Sequence, residues 1–463
     1  MVVSAAAALP AIAFPAGAAG ESAPIQYELA LPSGNGKQGA EPTAAVGNAV
    51  GDLGSERPAS AAIGAIDDGT VILLLALILV LSALILAVSL RRQRLRRPRL
   101  TMVVAVAGLS LTAFLLAVLP AAGTSQRRPP TVPRLYYGMI PQRPEPESEY
   151  KRMKANGVDS VRMGIAWNLV EPSKGNYDFS TVDQNVRLIA GAGMEPFPFL
   201  GATPDFYASK PCPTFGCFTS LPAQNAEQLN AWKAVVRALI RRYGSHGSFW
   251  AQNPGVPKHP FRVFQAWNEV NFIFFTDPRS PSLYGKLVKA THQAVHDVDP
   301  SVDVVLSGLF AHPKRSQGLQ AADFLNRLYR VKGIKANFDG VALHPYARDA
   351  SDLKPDVNQI RQVMKRHGDA NTDLYLTELG WGSAHDTAFE KGPAGQVREL
   401  TQAFTLLRNM QRAAHIQRIF WFAWEDDPNP GACNFCDSVG LVRADGSAKP
   451  SLARYSAFAH NKR

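Results

Sequence analysis

Two kinds of hydrophobic pattern divide this chain. Near its start, two runs of twenty residues without a charged side chain extend over 71–90 and 101–120. From residue 134 onward, short apolar runs alternate with longer stretches in which apolar residues recur every three or four positions. The first pattern is typical of membrane-spanning helices, and the second is typical of alternating strands and helices.

The run 71–90 predicts a transmembrane helix, because twenty helical residues extend about 30 Å, the thickness of a bilayer's hydrocarbon core. The run 101–120 is less apolar and predicts a second span, with a buried globular helix as the alternative. The loop 91–100 between them carries six arginines and no acid. The positive-inside rule keeps this loop in the cytoplasm, so we expect a multi-pass protein of the cell membrane whose C-terminal part is extracytoplasmic. If the second run were globular, that part would be cytoplasmic.

The segments around the two runs complete a domain plan. Residues 1–70, with two basic residues against seven acidic ones, predict a signal-like and flexible extracytoplasmic segment. We expect residues 71–120 to form the transmembrane hairpin, 121–133 a proline-bearing linker, and 134–463 a globular domain.

Composition and charge narrow the class of protein. Of 463 residues, 46% are hydrophobic and 19% are charged, which excludes disorder of the whole chain. The formal net charge is +11, but the densest basic cluster lies between the two hydrophobic runs. The cluster therefore indicates membrane topology, and we expect no nucleic-acid partner.

Eight strand candidates follow one another in the globular domain, and helical patterns separate them. They are residues 134–139, 160–165, 195–200, 262–267, 302–307, 338–343, 373–378 and 418–423. Eight strand and helix units in about 330 residues predict an α/β fold, a (β/α)8 TIM barrel. A doubly wound open sheet is less consistent, because no glycine-rich phosphate-binding turn follows the first strand.

The acidic residues can be ranked as catalytic candidates by their position along the strands, because the active site of such a barrel lies at the C-terminal ends of its strands. Glu269 follows the fourth strand and Glu378 ends the seventh, whereas Glu195 begins the third. Glu171 and Glu425, in loops after the second and eighth strands, remain rivals.

Five motifs carry a resemblance to a known clan. They are VRMGIAW in the second strand, WNLVEPSKGNYDFSTVD after it, WNE after the fourth, HPY after the sixth and TELGW at the seventh. Together, over about residues 134–460, they resemble the retaining (β/α)8 glycoside hydrolases of the clan that contains families 5, 39 and 42. Cleavage with retention needs one protonated carboxyl and one ionised carboxylate, about 5 to 5.5 Å apart.

The resemblance implies roles for individual residues. It implies Glu269 as acid/base and Glu378 as nucleophile, with Arg162 as the cation beside Glu378. Asn268 is similar to the asparagine of this clan that binds the sugar 2-hydroxyl. His344 and Tyr346 are similar to a pair of residues that orients the nucleophile. Trp424 is similar to a sugar-stacking platform. A structural ion pair remains the alternative for the charged residues, and space filling for the tryptophan.

The four cysteines lie in loops after strands. Cys212 and Cys217 follow the third strand, and Cys433 and Cys436 follow the eighth. An extracytoplasmic location favours two local disulfides, while cross-pairing and a zinc site stay open.

We therefore expect a membrane-anchored retaining glycosidase that cleaves β-linked O-glycosidic bonds of an extracytoplasmic oligo- or polysaccharide or glycoconjugate by double displacement. We expect it to need no cofactor or metal. A cell-envelope transglycosylase that uses the same two carboxylates and a catalytically inactive glycan-binding barrel are the alternatives.

Overall fold

Eight strands and ten α-helices make up the part of the chain that is described here. The computed structural model describes residues 136–209, 219–428 and 433–461. The strands are β1 (Tyr136–Ile140), β2 (Ser160–Ala166), β3 (Glu195–Gly201), β4 (Val263–Ala266), β5 (Asp303–Phe310), β6 (Gly340–His344), β7 (Asp373–Leu379) and β8 (Ile416–Phe422). The helices are α1 (Glu147–Ala155), α2 (Trp167–Val170), α3 (Ser180–Gly191), α4 (Ala226–Tyr243), α5 (Ser248–Gln252), α6 (Pro281–His296), α7 (Ala321–Leu328), α8 (Leu353–Arg366), α9 (Gly392–Met410) and α10 (Pro450–His460).

The strands pair in parallel, in chain order, and β8 closes onto β1. This closed barrel confirms the predicted (β/α)8 architecture. Each predicted strand overlaps an observed one, because an apolar run bounded by polar residues is what a strand covered on both faces requires.

Two apolar layers hold the barrel. Inside it, the Phe197 ring lies 5.0 Å from the Phe420 ring and 5.8 Å from the Tyr375 ring, measured between centroids. The second layer lies between the strands and the helices, where α4 buries one face that includes Trp232 and Leu239. This helix begins where the Asn225 side chain accepts a hydrogen bond from a backbone N–H, which is a common N-cap.

The pairing between β1 and β2 is short, as is the pairing between β3 and β4, with two residue pairs in register in each. Only Gly138 and Met139 of β1 are in register with β2, opposite Ser160 and Val161. On its other side β2 pairs with β3 over all seven residues. Residues 162–166 of β2 therefore have no strand partner on the β1 side. The loop 140–144 after β1 lies beside them.

The predicted segment 1–70, the transmembrane hairpin 71–120 and the linker 121–133 lie outside the described residues and stay predictions. Within 136–209, 219–428 and 433–461, no helix combines the length and the apolarity that a bilayer crossing needs.

Candidate functional site

Glu269 and Glu378 meet at the C-terminal end of the barrel. Glu378 belongs to β7, and Glu269 comes three residues after β4. An oxygen of each carboxylate and a nitrogen of His344 all lie within 4.8 Å of one another. Both glutamates are almost completely buried, at 0% and 1% exposure. The structure thus brings together the two acids that the sequence ranked first.

The backbone around Glu269 is strained. Trp267 has φ 75° and Glu269 has φ 37°, values in the left-handed region that side chains other than glycine rarely adopt. The Trp267 indole N–H donates to the carbonyl of Phe275 at 2.8 Å, and the N–H of Val270 donates to Ser307 at 3.1 Å. These contacts hold the unusual turn, and such strain clusters at functional sites.

Arg162 organises one side of the site with three hydrogen bonds. Its guanidinium donates to Glu378 Oε1 at 2.5 Å, to Asn268 Oδ1 at 2.7 Å and to Gln265 Oε1 at 2.8 Å. It also lies over the ring of Phe199, 4.2 Å from the centroid. A planar group with five donors suits such an array, so the arginine position is fixed.

Asn268 is held by Arg162 in one orientation. Because its Oδ1 accepts from the guanidinium, its Nδ2 must point the other way. That nitrogen is buried, and no acceptor lies within hydrogen-bonding distance in the described part of the chain. The site therefore offers a donor without a protein partner.

Tyr346 and His344 each bind one of the two acids. The Tyr346 hydroxyl donates to Glu378 Oε2 at 2.9 Å. His344 Nδ1 lies 2.7 Å from Glu269 Oε1, and its Nε2 lies 2.9 Å from Thr377 Oγ1. Both residues therefore lie beside the acids, and His344 Nδ1 is closer to Glu269, at 2.7 Å, than to Glu378, at 3.6 Å.

Burial and neighbouring charge set the protonation states. Burial raises the pKa of Glu378, and Arg162 and the Tyr346 hydroxyl oppose this rise. Burial also lowers the pKa of His344 well below its usual value, and the Arg162 charge adds to this. A neutral His344 has one N–H. When Glu269 is ionised, that N–H is on Nδ1 and donates to it, so Nε2 accepts from Thr377.

Gln265, Thr377 and Gly308 support the site, and the sequence analysis missed all three. Gln265 Nε2 donates to Leu306 O at 3.0 Å, which directs its Oε1 to Arg162. A Cβ on Gly308 would lie 1.9 Å from His344 Nε2, so only glycine leaves room for the imidazole. Gln265 could have been found from the sequence, because it is a polar residue inside the apolar run of β4.

Thr377 reaches the site because β7 is irregular. Neighbouring residues of a regular strand point to opposite faces, so Thr377 and Glu378 should diverge. The register between β7 and β8 shifts between Leu376 and Leu379, and both side chains contact site residues. Such irregularities re-aim side chains next to active sites.

Trp424 does not join the site, and its predicted role as a stacking platform is wrong. Its ring is fully buried in the apolar layer outside the barrel. Its indole N–H donates to Glu149 of α1 at 2.8 Å. A ring enclosed there cannot offer its face to a sugar. The inward aromatic at this end of β8 is Phe422, whose ring lies 6.3 Å from that of Tyr346.

An aromatic cluster covers part of the barrel end. The fully buried Phe435 lies 5.4 Å from the Tyr346 ring, 5.1 Å from the Phe389 ring and 6.2 Å from the Phe422 ring. Cys433 and Cys436, on either side of it, form a disulfide, which confirms the prediction for this pair. Cys212 and Cys217 lie outside the described residues, so their pairing stays a prediction.

The donor atoms of Glu269, His344 and Glu378 are close enough to ligate a metal ion. Arg162, however, already binds Glu378 at 2.5 Å, and its charge would repel a cation at this position. Glu269 and His344 are likewise bonded to each other. We therefore interpret the cluster as a pair of acids with a cation and a neutral histidine.

Two family models of glycoside hydrolases match parts of this chain. Residues 136–201 match the model of glycoside hydrolase family 42, described as beta-galactosidase. Residues 280–455 match a model described as glycosyl hydrolase catalytic core. The predicted resemblance to the (β/α)8 glycoside hydrolases is confirmed. Arg162 lies in the first match and His344, Tyr346 and Glu378 in the second, while Glu269 falls between the two.

Curated relatives match shorter parts. A beta-xylosidase from Geobacillus stearothermophilus is 25% identical over 158 residues, which cover 34% of this chain and 29% of the relative. Beta-galactosidase BgaH from Haloferax lucentense is 40% identical over 50 residues, which cover 11% of this chain and 8% of the relative. The match spans less than a third of either relative.

Solved structures share the fold. A family 39 glycoside hydrolase from Bacteroides cellulosilyticus WH2 has a TM-score of 0.51 and 20% identity, over 71% of this chain and 64% of that one. A monomeric beta-xylosidase from Caulobacter crescentus CB15 has a TM-score of 0.51 and 18% identity, over 70% of this chain and 67% of that one.

Proposed function

We propose that the barrel is a retaining glycosidase that cleaves O-glycosidic bonds by double displacement. The observation that carries this proposal is the approach of Glu269 and Glu378 to within 4.8 Å at the C-terminal barrel end. Retaining enzymes hold their carboxyl groups about 5 to 5.5 Å apart, whereas inverting enzymes need about 6.5 to 9.5 Å to admit a water molecule. The observed spacing therefore supports retention.

The two acids differ in their partners, and this difference supports their roles. Glu378 faces the Arg162 cation and the Tyr346 hydroxyl, which favour its ionised form and suit a nucleophile. Glu269 faces His344, and burial keeps that imidazole neutral, so this partner adds no positive charge beside Glu269. A carboxyl that must gain and lose a proton suits general acid/base work.

The reaction then follows in two steps. Glu378 attacks the anomeric carbon while Glu269 gives its proton to the departing oxygen, which leaves a glycosyl ester on Glu378. Glu269, now a carboxylate, takes a proton from water, and the resulting hydroxide displaces Glu378 from the sugar. Asn268 Nδ2 is the donor available to the 2-hydroxyl, a contact that strengthens in the transition state.

The substrate class that we propose is a terminal, β-linked sugar of an oligo- or polysaccharide. The rings of Phe435, Phe389 and Phe422 around Tyr346 close part of the barrel end, which suits a pocket for one sugar better than an open groove. The matched relatives are a beta-xylosidase and a beta-galactosidase, which supports β linkage.

We further propose that the enzyme is anchored in the cell membrane with the barrel outside the cytoplasm. The two uncharged runs, the arginine-rich loop and the disulfide between Cys433 and Cys436 support this. Protease added to intact spheroplasts should digest the barrel while a cytoplasmic marker stays intact. Digestion only after the membrane is permeabilised would place the barrel in the cytoplasm.

Removing the nucleophile should abolish hydrolysis. We expect Glu378→Ala to lower kcat by more than about 1,000-fold on aryl β-glycosides, because no glycosyl ester can form. Added azide should restore turnover and give the α-glycosyl azide, identified by NMR. The control is Glu195→Ala, at the opposite end of the barrel, which should stay active. Unchanged hydrolysis by folded Glu378→Ala would refute the assignment.

Removing the acid/base should make activity depend on the leaving group. We expect Glu269→Ala to retain the glycosylation step with 2,4-dinitrophenyl glycosides, whose leaving group needs no proton. Alkyl glycosides should lose about 100-fold or more in kcat/KM. Azide should now yield the β-glycosyl azide. An equal loss on both kinds of substrate would contradict acid catalysis.

The pH profile should report the hydrogen bond from Tyr346. This bond stabilises ionised Glu378, so Tyr346→Phe should raise the pKa of Glu378 further. Because the nucleophile must be ionised, the acid limb of kcat/KM should move to higher pH. Tyr329→Phe, which removes a hydroxyl bonded to Asp369 instead, is the control and should leave the limb in place. An unmoved limb in Tyr346→Phe would count against this role.

A further inference from the structure

A cavity lies at the seam between β1 and β2. Its volume is about 60 Å³, and its walls include the loop 140–144, the β2 residues 162–166 and Phe199. It exists because pairing between β1 and β2 stops after Val161. Arg162 lines this cavity and also binds Glu378 and Asn268, so the cavity adjoins the proposed cleavage site.

Gln142 lines the same cavity and is held firmly by the segment after β8. Its Nε2 donates to the carbonyl of Cys436 at 2.9 Å and to that of Glu425 at 3.2 Å. Cys436 is itself tied to Cys433 by the disulfide. Both amide hydrogens therefore have acceptors, and the orientation of the amide is fixed.

The remaining polar atom of this side chain has no protein partner. Gln142 is only 6% exposed, and its Oε1 is buried with no donor within hydrogen-bonding distance in the described part of the chain. Leaving a buried acceptor unpaired is unfavourable, so such atoms call for an explanation. The neighbouring Arg143 forms an ion pair with Glu425 at 2.6 Å.

We propose that Gln142 Oε1 accepts a hydrogen bond from a hydroxyl of the bound sugar and so determines which sugar is cleaved. This inference rests on the proposed glycosidase function. Asn268 follows β4 and Gln142 follows β1, which are different sides of the barrel. One offers a free donor and the other a free acceptor, so two hydroxyls of one ring are recognised by complementary groups.

The chemistry of the acceptor narrows the ligand. A neutral carbonyl oxygen binds O–H or N–H donors and repels carboxylate and phosphate oxygens. The substituent that faces Gln142 is therefore a hydroxyl and not the carboxylate of a uronic acid. A site built to bond a hydroxyl discriminates strongly against a sugar that lacks it, because its own buried group is then left unpaired.

The test pairs a substitution in the enzyme with a deletion in the substrate. The best of the 4-nitrophenyl β-xyloside, β-galactoside and β-glucoside is compared with its monodeoxy analogues, in the natural protein and in Gln142→Met. In the natural protein, one deoxy analogue other than the 2-deoxy sugar, whose missing hydroxyl faces Asn268, should lose about 10- to 100-fold in kcat/KM. In Gln142→Met, the parent sugar should lose a similar factor, and that analogue should lose nothing further.

A control separates binding from a purely structural role. Gln228 is another buried glutamine, but its Oε1 already accepts from the N–H of Gln224. Gln228→Met should leave the pattern over the deoxy sugars unchanged. An equal loss on every sugar in Gln142→Met, or no loss at all, would overturn the inference while the glycosidase proposal stands. If the natural protein hydrolysed none of the three glycosides, both the Gln142 inference and the glycosidase proposal would be overturned.

Discussion

The site depends on one buried ion pair, between Arg162 and Glu378. Neither side chain contacts solvent, so each charge has lost its hydration. Such a pair is stable only when further hydrogen bonds satisfy the remaining donors and acceptors, and loss of one partner commonly costs about 3 to 5 kcal/mol. Gln265 and Asn268 accept from the other guanidinium nitrogens, and Tyr346 donates to the second carboxylate oxygen. The surrounding residues thus satisfy the remaining hydrogen-bonding groups of this pair.

The same pair makes the two acids unequal. Two glutamates with the same solution pKa lie within 4.8 Å, so their environments alone distinguish them. The guanidinium is bonded to Glu378, while Glu269 faces an imidazole whose pKa is lowered by burial and by that same guanidinium. One cation therefore favours ionisation of one acid directly and keeps the neighbour of the other acid neutral. This asymmetry is what double displacement requires of its two carboxyl groups.

The sequence predicted the strands, which follow from hydrophobic periodicity, and the two acids, which follow from their position at strand ends. It did not predict the residues whose direction depends on an irregular backbone. All eight strands follow apolar runs, and both acids follow from the rule that chemistry belongs to C-terminal strand ends. Trp424 was misplaced because it lies two residues beyond the last residue of β8, where strand alternation no longer fixes its direction. Thr377 was missed for the opposite reason, since alternation would have turned it away from the site. The contact of Gln142 with the Cys436 carbonyl joins residues 294 apart in sequence, and no local pattern encodes it.

Strain explains why an apolar strand can end in an acid that points inward. Trp267 and Glu269 both adopt left-handed conformations, each of which costs about 1 to 3 kcal/mol. The cost is offset locally, because the buried Trp267 ring packs 5.9 Å from the Trp232 ring and its N–H is bonded to Phe275. The reversal lets both Asn268 and Glu269 reach the buried site, where neighbours in a regular strand would point to opposite faces. Backbone strain that packing retains and that brings an acid into the site is better explained by a catalytic role than by a contribution to the stability of the fold.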